Sequence, residues 1–236
     1  MITISIAGIN IGIDNKYPYL EEMAKDYITD GAAEFTVRAT EEEIDAQMAQ
    51  SPSSSLPRGY LESLSVYRHI AERLPEYDAF LFHGCVIVHK KRAYVFTAKS
   101  GVGKTTHARN WLAEFGDEVH ILNGDKPIIR IIDGVPCACG TPWQGKENYG
   151  VNEICEIKAF VFIERDKENK IVRIGESEAL LKIMNQIYLP AKSASALSAT
   201  MKNADKVLKS IPLFTLCCNP EKESARVAFN ELKRIN

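Results

Sequence analysis

The most constraining stretch of the chain is AYVFTAKSGVGKTTHARNWL, residues 93–112. It opens with β-formers and closes with helical spacing that runs on past it, Ala108, Trp111, Leu112 and then Phe115 making one apolar stripe. Between them lies a loop in which Gly101 and Gly103 stand two positions apart. A strand, a glycine loop and a helix placed end to end do not suit a helical bundle or a β-sandwich. They suit an α/β arrangement with the loop at the carboxyl end of a strand. AKSGVGKT, residues 98–105, has the Walker A spacing G-x-x-x-x-G-K-[ST], with Ala98 in place of the first glycine.

The chemistry of that loop is explicit. Gly101 and Gly103 let the backbone curl so that successive N–H groups face one centre, and the helix start adds its positive end. Lys104 supplies a point charge for a phosphoryl group, and the Thr105 hydroxyl is placed to ligate Mg²⁺. Ser100, Val102 and Thr106 complete the expected cradle for ATP. A metal-bound triphosphate also needs a carboxylate, and EVHILNGDKP, residues 118–127, supplies Asp125 at the end of the next strand. There it could serve as Mg²⁺ ligand or catalytic base, although N-G-D is also a common turn composition.

The remaining chain reads as many hairpins and several helices. Ile2, Ile4 and Ile6 alternate with polar residues, and Ile9, Ile11 and Ile13 resume after Gly8, which predicts a hairpin. YPYLEEMAKDYI has helical spacing and AEFTVRA reads as a strand. T-E-E-E at Thr40 matches a capping box with Glu43 reaching back, followed by a polar helix to about residue 49. QSPSSSLPRG, residues 50–59, reads as a linker-like loop. Leu61, Leu64, Tyr67, Ile70 and Leu74 then trace a helix face that Pro75 ends.

AFLFHGCVIVH and AYVFTA flank a KKR turn, and Asp133-Gly134 marks a two-residue hairpin between PIIRII and VPCACG. IKAFVFIE and KIVRI, on either side of RDKENK, are expected to form another hairpin. Helices are expected over 177–189, 193–208 and 221–234, with a late strand PLFTLCC. The sum is a mixed α/β fold, with a mixed sheet, several hairpins and flanking helices. Its expected division is an α+β segment over 1–78 and a nucleotide-binding domain over 79–236.

Composition excludes several classes. The chain of 236 residues carries a formal net charge of −2, so no global field favours nucleic acid or an anionic membrane. No apolar run approaches a membrane span, and MITISIAGIN lacks the basic start of a signal peptide, so a cytoplasmic protein is expected. The six cysteines have neither C-x-x-C nor zinc spacing and are expected as reduced thiols.

Residues 79–165, read together, resemble the C-terminal catalytic domain of HPr kinase/phosphorylase, in the phosphoenolpyruvate-carboxykinase-like group of P-loop proteins. The resemblance rests on FHGCVIV, then AYVFTAKSGVGKTTHARNWL, then NGDKPIIRI. TPWQGKENYG looks like small bacterial relatives of the group, some of which sit beside peptide-modification systems. It implies that residues 101–105 hold phosphates and metal and that Asp125 deprotonates the acceptor hydroxyl. It further implies that His83 acts beside Asp125 and that Glu147 helps hold the metal. The acceptor it implies is serine or threonine of a protein or peptide, and family members often form homo-oligomers.

Two departures stand out. The family's Asp-Asp pair is Gly124-Asp125 here, and residues 1–78 do not resemble the family's N-terminal domain. Lys146 in GTPWQGK is expected on phosphate, whereas Trp143 reads either as packing under its loop or as stacking on a base. Two other classes stay open. One is a carboxykinase-like small-molecule enzyme, whose carboxylate substrates want a cluster of basic residues, and no arginine cluster is seen beyond Arg130 and Arg165. The other is a non-catalytic ATP-binding sensor or partner in a modification system.

Overall fold

The computed structural model describes residues 1–50 and 56–235. The centre of the expected 50–59 linker lies outside the described residues. Its flanks are helical: Gln50 ends one helix and Arg58 begins the next.

Ile2–Ile6 (β1) and Ile9–Ile13 (β2) form the expected antiparallel hairpin. Its turn residues Ala7 and Gly8 have φ of 54° and 70°, the sign that a type I′ turn requires at both positions. Tyr19–Met23 (α1) is shorter than its sequence suggests and passes into a 3₁₀ turn at Lys25–Tyr27. Phe35–Val37 (β3) joins β2 in parallel. The capping box forms: Thr40 N–H donates to Glu43 Oε2 at 3.0 Å, and Glu43 N–H to Thr40 Oγ1 at 3.3 Å. It starts Glu41–Gln50 (α2), after which come Arg58–Arg73 (α3) and a 3₁₀ turn at Leu74–Tyr77 that contains Pro75.

The main sheet begins with Ala79–Leu81 (β4), Cys85–His89 (β5) and Arg92–Thr97 (β6), which leads through the glycine loop into Lys104–Phe115 (α4). Val119–Asn123 (β7), Ile128–Ile132 (β8), Val135–Cys139 (β9), Ile154–Arg165 (β10) and Lys170–Arg173 (β11) follow. Glu176–Ile183 (α5), Ala194–Ser210 (α6), Leu213–Cys218 (β12) and Glu223–Leu232 (α7) complete the chain. The strand order is β4-β8-β9-β10-β6-β5-β7, with β12 beside β10 and β11 beside β12.

Alternation along β10 sorts its side chains into two layers. Val161 and Ile163 pack with Trp111 of α4 and Ala225 and Leu232 of α7. Phe160 and Phe162 pack with Ala179 of α5 and Ala204 and Val207 of α6. The three-stranded N-terminal sheet shares a third core with Leu81, Ile128 and Trp143 of the main unit. Arg130 pins the two together, donating to the carbonyl oxygens of Ala7 at 2.6 Å and Tyr77 at 3.2 Å.

Three expectations are corrected. KIVR does not pair with IKAFVFIE: β12 lies between them, parallel to β10 and antiparallel to β11. The strand run AFLFHGCVIVH divides at Phe82–Gly84, so β4 pairs with β8 while β5 pairs with β6 and β7. The helix expected over 177–189 ends at Ile183, because the following backbone serves the sheet. Ile187 bridges Phe82, and Gln186 accepts the His83 N–H at 2.7 Å.

Topology defines one functional edge. β5 is antiparallel to β6 and β7, while β10 is parallel to β6 and β12. The carboxyl ends of β6, β7, β10 and β12 therefore share an edge, as does the start of β5. Open α/β sheets bind ligands outside such ends.

Candidate active site

The glycine loop is built as its sequence requires. Gly101 and Gly103 have φ of 77° and 133°, a region that an L side chain rarely adopts. The first helical bond of α4 runs from His107 N–H to the Gly103 carbonyl at 2.9 Å. The amides of Lys104, Thr105 and Thr106 therefore precede the helical ladder, as first-turn amides do, and carry the positive end of the helix. On the loop's other side, the Arg165 guanidinium donates to the carbonyl oxygens of Gly101 and Val102. That clamp turns the carbonyls toward β10. Sequence reasoning noted Arg165 only as an isolated arginine; nothing local reveals its partner 63 residues away.

Asp125 sits on a turn fixed by Asn123, which is fully buried. Asn123 Oδ1 accepts the N–H groups of Asp125 at 2.9 Å and Lys126 at 2.7 Å. Its Nδ2 donates to Thr141 and to the Trp143 carbonyl, tying the turn to the 141–149 loop. Three side chains, two of them lysines, surround the Asp125 carboxylate. His83 Nε2 and Lys126 Nζ each lie 3.3 Å from Oδ1, and Lys104 is near enough for Asp125 to be its main attractive charge. Burial pushes the Asp125 carboxyl up, but contact with His83 and the Lys126 charge outweigh it and hold the carboxyl below its ordinary value. Burial lowers the Lys104 ammonium, against the pull of Asp125. In this state Lys104 Nζ donates to the Ala98 carbonyl at 3.1 Å.

His83 is held from three directions. Its N–H meets the Gln186 carbonyl, its Nδ1 faces the Gln186 side-chain amide at 3.0 Å, and its own carbonyl accepts the Thr97 hydroxyl at 2.9 Å. An ionised carboxylate only accepts, so Nε2 is the ring nitrogen that carries hydrogen toward Asp125.

These groups open on one cleft of ≈ 770 Å³. Of the residues singled out by sequence, His83, Ser100, Gly101, Gly103, Lys104, Thr105, Thr106, Asp125, Lys146 and Glu147 all line it; Val102 faces a second cavity. Glu147 is paired with Arg109 of α4 at 3.1 Å. Among the described residues no cluster of three His, Cys, Asp or Glu side chains is spaced to hold a metal. A metal here would need donors from its ligand and from water as well as from Thr105 and Asp125.

Sequence reasoning missed two parts of the cleft. Lys126 directly follows Asp125 in NGDK and had a legible signal, but the segment read as a turn. Part of the wall comes from residues 1–78, where no chemistry was visible: Tyr19, Tyr60, Leu64 and Tyr67 line the cleft. Trp143 packs against Tyr67 with ring centroids 5.3 Å apart, and its indole N–H donates to the Ser63 carbonyl at 3.2 Å. Trp143 is thus packed under its loop, 8% exposed, and also lines the cleft.

Gly124 has a steric reason. A Cβ there would stand 2.9 Å from the Gln144 carbonyl oxygen and 3.4 Å from Tyr149 Cβ, so the 141–149 loop occupies the space of a second aspartate. His107 faces the sheet, 3% exposed; it accepts the Trp111 indole N–H at 2.8 Å, and burial lowers its pKa to about 3. The six cysteines are all free thiols, Cys217 alone being partly exposed.

No family model matches the chain, and no curated protein matches it. Among solved structures, 48 chains match. One is the Hpr(Ser) kinase/phosphatase from Coxiella burnetii, with 8% identity and a TM-score of 0.37, over 65% of this chain and 97% of that one. At that level the likeness is distant. Among the described residues no helix is long and apolar enough to cross a membrane.

Proposed function

We propose that the protein is an ATP- and Mg²⁺-dependent phosphotransferase, passing the γ-phosphoryl group to a hydroxyl on a serine or threonine of a protein or peptide. The observation that carries this reading is the shared cleft: the glycine loop, Lys104 and Asp125 open on one space, with a carboxylate opposite a phosphate cradle. The loop amides and Lys104 hold the triphosphate, Ser100 and Thr106 flank it, and Lys146 reaches it from the 141–149 loop. Thr105 and Asp125 would hold the metal, and Glu147, paired with Arg109, would be the further candidate ligand. Mg²⁺, when bound, supplies positive charge to the phosphate oxygens.

Asp125 orients the acceptor hydroxyl and receives its proton as oxygen bonds to the γ-phosphorus and the bond to the β-phosphate oxygen breaks, releasing ADP. A carboxylate held down by His83 and Lys126 is ionised at neutral pH but a weak base, so its main contribution is orientation. His83 fixes the Asp125 rotamer. Lys104 and Lys126 offset charge on the phosphoryl group in flight.

A second reading, a small-molecule acceptor, is favoured by the aromatic wall of Tyr19, Tyr60 and Tyr67. The carboxykinase-like version of it is not favoured, because Arg130 and Arg165 are both committed to backbone carbonyls.

The test is ATP binding by calorimetry with Mg²⁺, wild type beside Lys104→Ala, then transfer from γ-labelled ATP into lysate of the source cell. Binding lost with Lys104 and a labelled polypeptide that disappears with Asp125→Ala are expected. A labelled metabolite in place of a polypeptide selects the second reading. Binding without any transfer leaves a nucleotide sensor, and transfer intact in Lys104→Ala overturns the mechanism.

A further inference from the structure

A second cavity, of ≈ 390 Å³, lies behind the glycine loop between the carboxyl ends of β10 and β12. Gly101, Gly103 and Thr106 line both cavities, so the loop is a saddle between them. We infer that this second cavity takes the base and ribose of the nucleoside triphosphate, leaving the aromatic cleft to the acceptor. The inference rests on the phosphate-binding reading of the loop and adds the direction in which the nucleotide lies across it.

Direction follows from Asp125. The carboxylate lies in the larger cleft, so the terminal phosphate must face that cleft, and the nucleoside leaves from the loop's other end. Thr106 and Asn110, one helical turn apart on α4, present one face to the second cavity.

The chemistry of the cavity suits a nucleoside and not another anion. Val102, Ile163, Cys218 and Pro220 give it apolar walls, the surface a planar base buries against. Its arginine, Arg165, is occupied by the carbonyls of Gly101 and Val102. The rim carries the exposed carboxylate of Asp166, which repels phosphate but accepts hydrogen bonds from a ribose diol. Asn110 Nδ2 is committed to the Pro220 and Glu221 carbonyls at 3.0 Å, which rigidifies the wall and offers Oδ1 as an acceptor for an exocyclic amine. The neutral His107 and the buried Ser224 close the inner end.

The experiment uses the full chain with Mg²⁺ and two probes. Photolabelling with 8-azido-ATP, followed by peptide mapping, is expected to mark residues in 163–166 or 218–224. Label on Tyr60, Tyr67 or Trp143 overturns the inference. Calorimetry then compares ATP with inorganic tripolyphosphate, which has no nucleoside. ATP is expected to bind about tenfold tighter or more, and Cys218→Phe should shrink that ratio without changing tripolyphosphate affinity. Asp166→Ala, at the exposed rim, gives the same readout should the phenylalanine disturb folding. Equal affinities in the wild type, or equal losses for both probes in the variants, overturn the inference alone. Failure of tripolyphosphate itself to bind defeats the reading of the loop.

Discussion

Thr97, the last residue of the strand that feeds the glycine loop, donates its hydroxyl to the carbonyl oxygen of His83 at 2.9 Å. Thr97 is fully buried. This bond links the phosphate cradle to the histidine that contacts Asp125, two segments 14 residues apart in sequence. Replacing Thr97 by the isosteric valine leaves that carbonyl without the hydroxyl and is expected to destabilise the fold by about 1–3 kcal/mol. Phosphoryl transfer should fall more than ATP affinity, because the damage lies on the Asp125 side. Urea unfolding and a kcat-against-KM comparison check both parts; an unchanged kcat would remove His83 positioning from the mechanism.

Lys126 shares Asp125 Oδ1 with His83, each at 3.3 Å. Lys126→Met removes one of the charges that hold the carboxyl below its ordinary value. The acid limb of the pH–rate profile should therefore move to higher pH. The stability consequence has a definite sign. A carboxyl with a depressed folded pKa stabilises the protein above its unfolded value, and that contribution disappears as pH falls through the folded value. The variant should accordingly lose less stability on acidification than the wild type in the window just below the ordinary aspartate pKa. An acid limb that stays in place in Lys126→Met would show that Lys126 does not act on Asp125.

The local grammar of this chain was legible, and its long-range pairing was not. The Thr40 capping box, the Asp133-Gly134 turn and the strand–loop–helix unit each depend on residues within a few positions, and each formed as expected. KIVR was misassigned because alternation identifies a strand without naming its partner. Leu213–Cys218, some 40 residues further on, inserts between it and β10. The buried run Phe160–Ile163 hinted at this, since a strand covered on both faces suits parallel neighbours. The site divided in the same way. Lys104, Thr105 and Asp125 announce themselves by motif. The Arg165 clamp reaches the glycine loop, and the tyrosines of the first 78 residues reach the cleft, only through tertiary packing, which leaves no local pattern.

Gly124 tests whether a second carboxylate beside Asp125 is excluded for want of space. Its Cβ position lies 2.9 Å from the Gln144 carbonyl oxygen, and backbone cannot yield as the tip of a side chain does. Gly124→Ala is expected to cost about 1–3 kcal/mol by overpacking, seen as a lower Tm. Gly124→Asp should cost more and should not raise transfer, because the added carboxylate displaces the 141–149 loop that carries Lys146. A gain in transfer with unchanged Tm would refute the steric account.

His107 predicts how stability responds to acid. It lies 3% exposed between α4 and the sheet, Phe96 4.7 Å away, with its Nε2 accepting from Trp111. Burial lowers its pKa to about 3 from an ordinary value of 6.5. The folded protein thus keeps the ring neutral where the unfolded chain takes up a proton. Stability is complete above about pH 6.5 and declines as pH falls from there toward 3. Between pH 7 and pH 4.5 this one group should remove about 2–3 kcal/mol. His107→Gln keeps an acceptor for the Trp111 indole but cannot titrate. It should be less stable than the wild type at pH 7 and lose less on acidification, so the two urea-unfolding curves converge as pH falls. Parallel decline of the two proteins would mean that His107 is protonated in the folded state, or that the helix end opens before it titrates.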